Sequence, residues 1–199
     1  MRRFDDETIK YLTSREYTRL INAIKKDTSK HSLRNLVIFN VAYYCGLRVS
    51  EVGLLNVDDY NPSNRSLYCH RLKGSNNNTI RLSKEISRML NLYIKEYGLE
   101  QGDILFKSQH GKPISRQNLD VVFKNYAKAA RIKDTSKHHF HVLKHTRAVD
   151  MLDAGFNLED IKYLLGHKNI ANTVIYAQFS SNYKSDFFDR LDRFEKNRY

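Results

Sequence analysis

The chain contains 199 residues, of which 41% are hydrophobic and 28% are charged, with 8 glycines and 2 prolines. This length suits one domain with a sizeable core, and the composition excludes a disordered or fibrous protein. Lysine and arginine outnumber aspartate and glutamate by 34 to 22, which gives a formal net charge of +12. Such a charge attracts polyanions, and it favours a nucleic-acid partner over a merely basic surface.

Neither the cysteines nor the first residues indicate secretion or a membrane. Cys45 lies in an apolar helical segment and Cys69 in a predicted strand, so both are predicted to be small buried hydrophobes rather than a disulfide pair. The opening sequence MRRFDDETIK has no apolar leader segment, and nowhere do 18 apolar residues run together. We therefore expect a cytoplasmic protein without a membrane partner.

Two amphipathic helices are predicted near the start of the chain. Thr13 and Glu16 form a capping box, which predicts a helix over residues 14–26. Apolar residues then recur as one broad stripe in a second helix over residues 32–46, which ends at a glycine.

A long cation follows directly after that glycine. Ser50 is predicted to cap a short third helix that runs to about Leu55. Arg48 then lies at a junction between two helices, with Glu51 one turn away to pair with it or to orient it. An ordinary surface ion pair is the alternative interpretation.

The period of the pattern changes in the next segment. Residues 66–72 and 79–82 are β-prone and are separated by the turn-forming sequence GSNNN. They predict an antiparallel hairpin or a three-stranded sheet, with Lys73 at its tip. A lysine there is either solvated surface or a flexible group that reaches a neighbouring site.

Helices return after the sheet. They are predicted after the caps Ser83 and Ser115, and over residues 141–154, 158–165 and 171–176. The fold class is thus mainly α with a small antiparallel β-sheet (α+β), in one domain over residues 1–183. Residues 184–199 form a further helix whose apolar residues recur at helical spacing. This stripe either docks on its own domain or is exchanged with a neighbouring protomer.

Several groups suited to phosphodiester cleavage are spread along the chain. Such a reaction needs a nucleophile, cations for the charge that develops on the phosphate oxygens, and an acid for the leaving alkoxide. Tyr176 is the candidate nucleophile and Lys73 the candidate acid. The candidate charge-stabilising groups are Arg48, His141, Lys144 and His167. Packing in the core is the alternative for any single tyrosine.

The histidines near residue 140 also raise the possibility of zinc. His138, His139, His141 and His145 are close in sequence, but no cysteine pair or carboxylate completes a usual ligand set. We therefore predict no metal and no cofactor.

Taken together, these residues resemble the catalytic signature of the tyrosine recombinases, the phage integrase family. The resemblance rests on CGLRVSEV around Arg48, a hairpin lysine, His141-x-x-Lys144-His145, LGH at residues 165–167, and Tyr176 nine residues later. It covers about residues 12–183. It implies a mostly helical catalytic domain that needs neither metal nor nucleotide.

The resemblance also implies a role for each residue. Tyr176 would attack the scissile phosphate to form a 3′-phosphotyrosyl bond, and Lys73 would protonate the leaving oxygen. Position 144 would hold the phosphate oxygens together with Arg48, His141 would assist proton movement, and His167 would hydrogen-bond the phosphate. Glu51 and His145 are expected to support these groups. The expected partners are a double-stranded DNA recombination site and further copies of the chain, a tetramer in the synapse.

The chain departs from the family pattern in two ways. Lys144 stands where the family has an arginine, and an ammonium is a point charge rather than a bidentate fork. Only about twelve residues precede the first helix, where family members usually carry a helical DNA-clamping domain. The chain is either an excised catalytic domain or a short recombinase like those that invert fimbrial promoter switches. Two rival functions remain open: a DNA-binding protein that no longer cuts, and a monomeric topoisomerase.

Overall fold

Helices make up most of the computed structural model, which describes residues 9–72, 74–196 and 198. The α-helices are α1 (Ser14–Lys25), α2 (Ser32–Cys45), α3 (Val49–Val52), α4 (Lys84–Glu96), α5 (Arg116–Ala129), α6 (Val142–Asp153), α7 (Leu158–Leu165), α8 (Ala171–Val174) and α9 (Ser181–Lys196). Short 3-10 turns lie at Val57–Asp59, Thr135–Lys137 and Ala177–Phe179. In the described residues, no helix is both long enough and apolar enough to cross a membrane.

The strands form one small antiparallel sheet, as predicted. Its order is β1 (Tyr60–Asn61), β2 (Ser66–Cys69), β3 (Asn78–Arg81). β2 is shorter than the predicted segment of residues 66–72 because the backbone N–H of Arg71 donates to the Asn77 side chain at 2.8 Å, away from the strand ladder. The mainly α fold with a small antiparallel sheet is therefore confirmed.

Local capping explains where the first helices begin and end. The predicted capping box of α1 is present, with the Thr13 and Glu16 side chains each bonding the other's backbone N–H. α2 ends at Gly46, whose φ of 59° is left-handed. The prediction that Ser50 caps α3 was wrong. The N-cap residue of α3 is Arg48 instead. Its backbone N–H donates to the Glu51 carboxylate at 2.9 Å, and this bond starts the helix at Val49.

α2 forms the centre of the main core. Val37, Ile38, Phe39, Val41 and Ala42 all have no solvent exposure, so the helix is buried on several sides and the single predicted stripe was too narrow. Both cysteines are buried as well, as predicted. Because α2 is enclosed by α1, α4 and α6, the loop at its C-terminal end has a rigid base.

A second, smaller apolar cluster joins α6, α7 and the segment after α8. It contains Val149 and Leu152 of α6, Ile161 and Leu165 of α7, and the ring of Tyr176. The predicted helical turns at residues 171–176 are present only in part, since α8 ends at Val174.

α9 begins at Ser181, slightly before the predicted C-terminal segment of residues 184–199. It contacts α6 and the 3-10 turn before it, and four large hydrophobic side chains beyond its first turn remain exposed. Phe187 is 50% exposed, Phe188 61%, Leu191 43% and Phe194 58%.

We expect Gly46→Ala to destabilise the protein more than Gly98→Ala does. Both glycines have left-handed φ values, 59° and 56°, so each alanine pays a backbone strain of about 1–2 kcal/mol. A Cβ at Gly46 would also overlap Cδ2 of Leu165, whereas at Gly98 it meets nothing within 4 Å. Overpacking adds roughly 1–3 kcal/mol. Urea unfolding measures the free energy of unfolding of both variants. Equal losses of stability would show that Leu165 on α7 moves aside without cost.

Candidate active site

The candidate residues come from four separate segments that meet beside the sheet. Arg48 lies before α3, three candidates lie at the start of α6, His167 follows α7, and Tyr176 follows α8. Arg48 bonds Ser75, whose backbone pairs with that of His167. Lys144 bonds the carbonyl of Leu165, two residues before His167. On the same helix as Lys144, the ring of His145 contacts both His141 and Tyr176. Lys73 lies outside the described residues.

Arg48 is held by two side-chain contacts. Its Nη1 lies 2.8 Å from Oε1 of Glu51, so the predicted pair is present. The same Nη1 donates to Oγ of Ser75 at 2.8 Å. The Arg48 side chain is 28% exposed and Glu51 is fully buried. Arg48 is therefore held by Glu51 and Ser75 while part of its guanidinium faces solvent.

Glu51 is a buried carboxylate shared by several cations. Its Oε2 lies 3.1 Å from Nη1 of Arg71, and its Oε1 accepts the backbone N–H of Leu72 at 3.2 Å. Burial alone would raise the pKa of the Glu51 carboxyl, but Lys144, Arg48 and Arg71 together hold it below its ordinary value. Glu51 is thus ionised at neutral pH.

Lys144 is also buried, with 1% exposure. Its Nζ donates to the carbonyl of Leu165 at 2.9 Å, which ties α6 to the end of α7. Burial lowers the pKa of this ammonium well below its usual range, and the charge of Arg48 lowers it further. The Glu51 carboxylate opposes this shift, and the lysine places a single compact amine where the family has an arginine.

Tyr176 and His145 share a hydrogen bond. The hydroxyl lies 2.9 Å from Nδ1 of His145, and Tyr176 is 2% exposed. Burial raises the pKa of the phenol above its ordinary value, although Arg48 opposes the shift. Burial also lowers the pKa of His145 to about 3, with a contribution from His141. A protonated phenol thus faces a neutral imidazole, and the phenol O–H donates a hydrogen bond to Nδ1 of His145 when the tautomer leaves that nitrogen unprotonated.

The other two candidate histidines are neutral for the same reason. Burial, with the charges of Lys144 and Arg48, lowers the pKa of His141 to about 4 and that of His167 to about 3. His141 packs edge-on against His145, with ring centroids 4.5 Å apart. Nδ1 of His167 shares a hydrogen bond of 2.9 Å with Oγ1 of Thr173, which fixes the imidazole plane.

Positive charge exceeds negative charge in this pocket. Arg48, Arg71 and Lys144 surround one carboxylate, that of Glu51. Neutral histidines add hydrogen-bonding groups without adding charge. Such an arrangement favours an anion with several oxygens, and a phosphate diester satisfies that requirement. In the described residues, no three His, Cys, Asp or Glu side chains are grouped as a metal site would need.

Three residues of the site were missed by sequence reasoning. Arg71 contacts Glu51, Ser75 contacts Arg48, and Thr173 contacts His167. Ser75 and His167 are also partners in an isolated β-bridge. The sequence offered one signal for Arg71, its position two residues before the hairpin lysine. That position does not tell a buried arginine from an exposed one.

Comparison with known proteins agrees with this fold. Residues 10–182 match the model of the phage integrase family. Tyrosine recombinase XerC of Roseiflexus castenholzii is 29% identical over 183 residues, which cover 88% of this chain and 57% of that protein. Type 1 fimbriae regulatory protein FimB of Escherichia coli K12 is 28% identical over 189 residues, which cover 94% and 92%.

The crystal structure of XerA recombinase superposes with a TM-score of 0.76 at 25% identity, over 90% of this chain and 64% of that one. The fold is that of a tyrosine recombinase catalytic domain. The chain belongs to the phage integrase family. It spans less than two thirds of the XerC and XerA chains and nearly all of FimB.

Proposed function

We propose that the protein is a site-specific DNA recombinase that cleaves and rejoins strands through a 3′-phosphotyrosyl intermediate on Tyr176. One observation carries the proposal: the Tyr176 hydroxyl is hydrogen-bonded to His145 in a pocket where cations exceed carboxylates. Family membership and the net charge of +12 support it. Double-stranded DNA is the substrate that fits both the family and the positive charge. Because that DNA lies inside the cell, we also propose a cytoplasmic location.

The first step forms a bond between the Tyr176 oxygen and phosphorus and breaks the bond between phosphorus and the 5′ oxygen. A phenol with a raised pKa is a poor nucleophile until it loses its proton. The neutral imidazole of His145 is within hydrogen-bond distance to accept that proton, and the ring of His141 packs edge-on against it. Lys73 donates a proton to the departing 5′ oxygen. The bond energy of the phosphodiester is retained in the phosphotyrosyl ester, so rejoining needs no cofactor.

The phosphate oxygens are held by the remaining groups. Arg48 presents a partly exposed guanidinium whose orientation is fixed by Glu51. His167 supplies a hydrogen bond from a ring held by Thr173. Lys144 adds a compact charge close by. Removing one such donor from a preorganised site typically lowers a rate by about 10²–10³.

DNA binding must also expose the nucleophile. Tyr176 is 2% exposed, and a phosphate has to approach its hydroxyl to react. The short α8 and the 3-10 turn Ala177–Phe179 flank this residue, and movement of that segment would expose the hydroxyl.

We expect a covalent protein–DNA adduct that Tyr176→Phe abolishes. Duplexes selected for binding from a randomised pool are nicked beside the cleavage position, so that the short leaving strand diffuses away and the adduct accumulates. Denaturing gel electrophoresis detects the adduct. Tyr97→Phe, at an exposed tyrosine at the end of α4, is the matched control and retains adduct formation.

Tight binding without any adduct from the unmodified protein would instead support the rival, a DNA-binding protein that no longer cuts. Relaxation of supercoiled DNA without strand exchange would support the topoisomerase.

We expect Lys144→Arg to retain or raise adduct formation in the same assay. A guanidinium restores the bidentate geometry that suits phosphate oxygens. Lys144→Met, which removes the charge, should lower the rate on the order of 100-fold. Lys128→Arg, on the exposed side of α5, controls for added guanidinium. Complete loss of activity in Lys144→Arg would mean that the pocket depends on the lysine bond to Leu165.

We further propose that residues 1–183 form the catalytic unit and that the helix over residues 184–199 packs against a neighbouring copy in a tetramer on DNA. The exposed aromatic stripe on α9 supports this proposal. The start of the helix is tied to its own domain, where Ser180 Oγ donates to Asp153 Oδ1 at 2.6 Å and Asn182 donates to the Asp153 carbonyl at 2.9 Å. A helix that is fixed at one end and apolar on its outer side suits exchange between protomers.

We expect the double variant Phe188→Asp, Phe194→Asp to reduce assembly on DNA without lowering the stability of the free protein. A charge on the stripe prevents its burial in an interface. Val121→Asp is the matched control, because Val121 on α5 is 58% exposed, as is Phe194. Sedimentation of protein–DNA complexes gives the assembly state and urea unfolding gives the stability. Unchanged assembly of the double variant would overturn the exchange.

A further inference from the structure

Arg71 is the most fully bonded cation next to the site. Its side chain is completely buried, and a guanidinium has five N–H donors. All five are used, within 2.7–3.1 Å, by the following acceptors: Asn78 Oδ1, the Gly46 carbonyl, Glu51 Oε2, the Cys45 carbonyl and the Leu164 carbonyl. No donor is left for a phosphate oxygen, so Arg71 is not itself a phosphate ligand.

These bonds join two halves of the site that are far apart in sequence. One half is the end of α2 and the Glu51 carboxylate, which holds Arg48. The other is the end of α7, which leads into His167. Nη1 of Arg71 bonds the first half, and Nη2 bonds both the first half and the Leu164 carbonyl. One rigid planar group therefore sets the distance between the two.

The contact with the α7 end is close as well as hydrogen-bonded. A Cβ added at Gly166 would lie 3.0 Å from Cγ and 3.0 Å from Nε of Arg71, and 2.7 Å from the Asn76 carbonyl. Gly166 is thus required by space in addition to its left-handed φ of 67°. The residue before His167 rests directly on the Arg71 side chain.

Lysine cannot reproduce this arrangement. Its ammonium has three donors on a single atom. It therefore cannot reach acceptors that lie at different edges of the planar guanidinium. It would keep a positive charge near Glu51 but lose the bonds to one of the two halves. Arg71 is therefore needed for its shape as well as for its charge.

We propose that Arg71 is a positioning residue that fixes Arg48, through Glu51, relative to His167, so that both groups face one phosphate. This inference rests on the proposed recombinase function. Loss of Arg71 changes the direction of the Arg48 guanidinium. The cleavage rate should then fall only where Arg48 stabilises negative charge on the phosphate.

The test compares cleavage of a normal phosphate with cleavage of a methylphosphonate at the same position. A methyl group in place of one non-bridging oxygen removes the negative charge, so the reaction depends less on Arg48. We expect Arg71→Lys to cleave the phosphate roughly 10–100-fold more slowly than the unmodified protein. On the methylphosphonate its deficit should be at least several-fold smaller. Arg81→Lys, at an exposed position on β3, should match the unmodified protein on both substrates.

Each outcome decides the matter. A deficit of equal size on both substrates would mean that Arg71 serves stability alone, and an undiminished rate on the phosphate would mean that it positions nothing. Either result overturns the inference while leaving the recombinase function standing, since the unmodified protein still forms the adduct. An unmodified protein that forms no adduct overturns the function and this inference with it.

A second measurement does not need a variant that folds. Guanidinium nitrogen NMR of the unmodified protein should show N–H groups of Arg71 that exchange with water at least about 100-fold more slowly than those of Arg81, because each is bonded inside the protein. These resonances should shift little when a duplex is added, whether it carries the phosphate or the methylphosphonate. Fast exchange, or a large shift that requires the phosphate charge, would overturn the positioning role.

Discussion

The buried carboxylate of Glu51 is the constraint on which the site depends. An isolated buried charge is strongly unfavourable, and a buried ion pair is tolerated only with good geometry and further hydrogen bonds. Glu51 meets that condition because its two oxygens contact Arg48, Arg71 and the backbone of Leu72. Its charge in turn fixes the orientation of Arg48. With Lys144 close by, the pocket still carries an excess of positive charge, which a phosphate diester neutralises.

Burial has opposite effects on the groups that handle protons. It lowers the pKa of the histidines and raises that of Tyr176, so each is held in its neutral form. A hydrogen bond between a neutral phenol and a neutral imidazole is a stable resting state. In the proposed reaction, an approaching phosphate alters the charge in the pocket and favours loss of the phenol proton. The proposed recombination therefore uses both the positive pocket and the buried tyrosine, and the DNA phosphate supplies the negative charge.

The scaffold concentrates rigidity at one end of this site and mobility at the other. The end of α2 rests on a helix that is buried on several sides, and Arg71 bonds to that end directly. Tyr176, by contrast, lies between a four-residue helix and a 3-10 turn. The groups proposed to hold the phosphate thus lie on the rigid base, whereas the proposed nucleophile lies between two short helical turns. α9 continues from that segment and presents its aromatic stripe to solvent.

The sequence by itself determined what depends on neighbouring residues. The capping box of α1, the glycine after α2 and the pairing of Arg48 with Glu51 all rest on contacts within four residues, and each leaves a recognisable spacing. The order of the site residues was readable for the same reason, as a set of short motifs. The predicted cap at Ser50 was wrong because the Glu51 side chain competed for the same helix end, and spacing alone does not rank two caps.

Only the tertiary structure decided which distant groups meet. Arg71 was missed because most of its partners are backbone carbonyls, and every residue carries a carbonyl, so no sequence pattern marks the ones it will reach. The same holds for the bond from Lys144 to the Leu165 carbonyl. The burial of Tyr176 depends on packing between α6 and α7, which no local period reports. Local chemistry fixed the identity of the groups, and long-range packing fixed their charge states and directions.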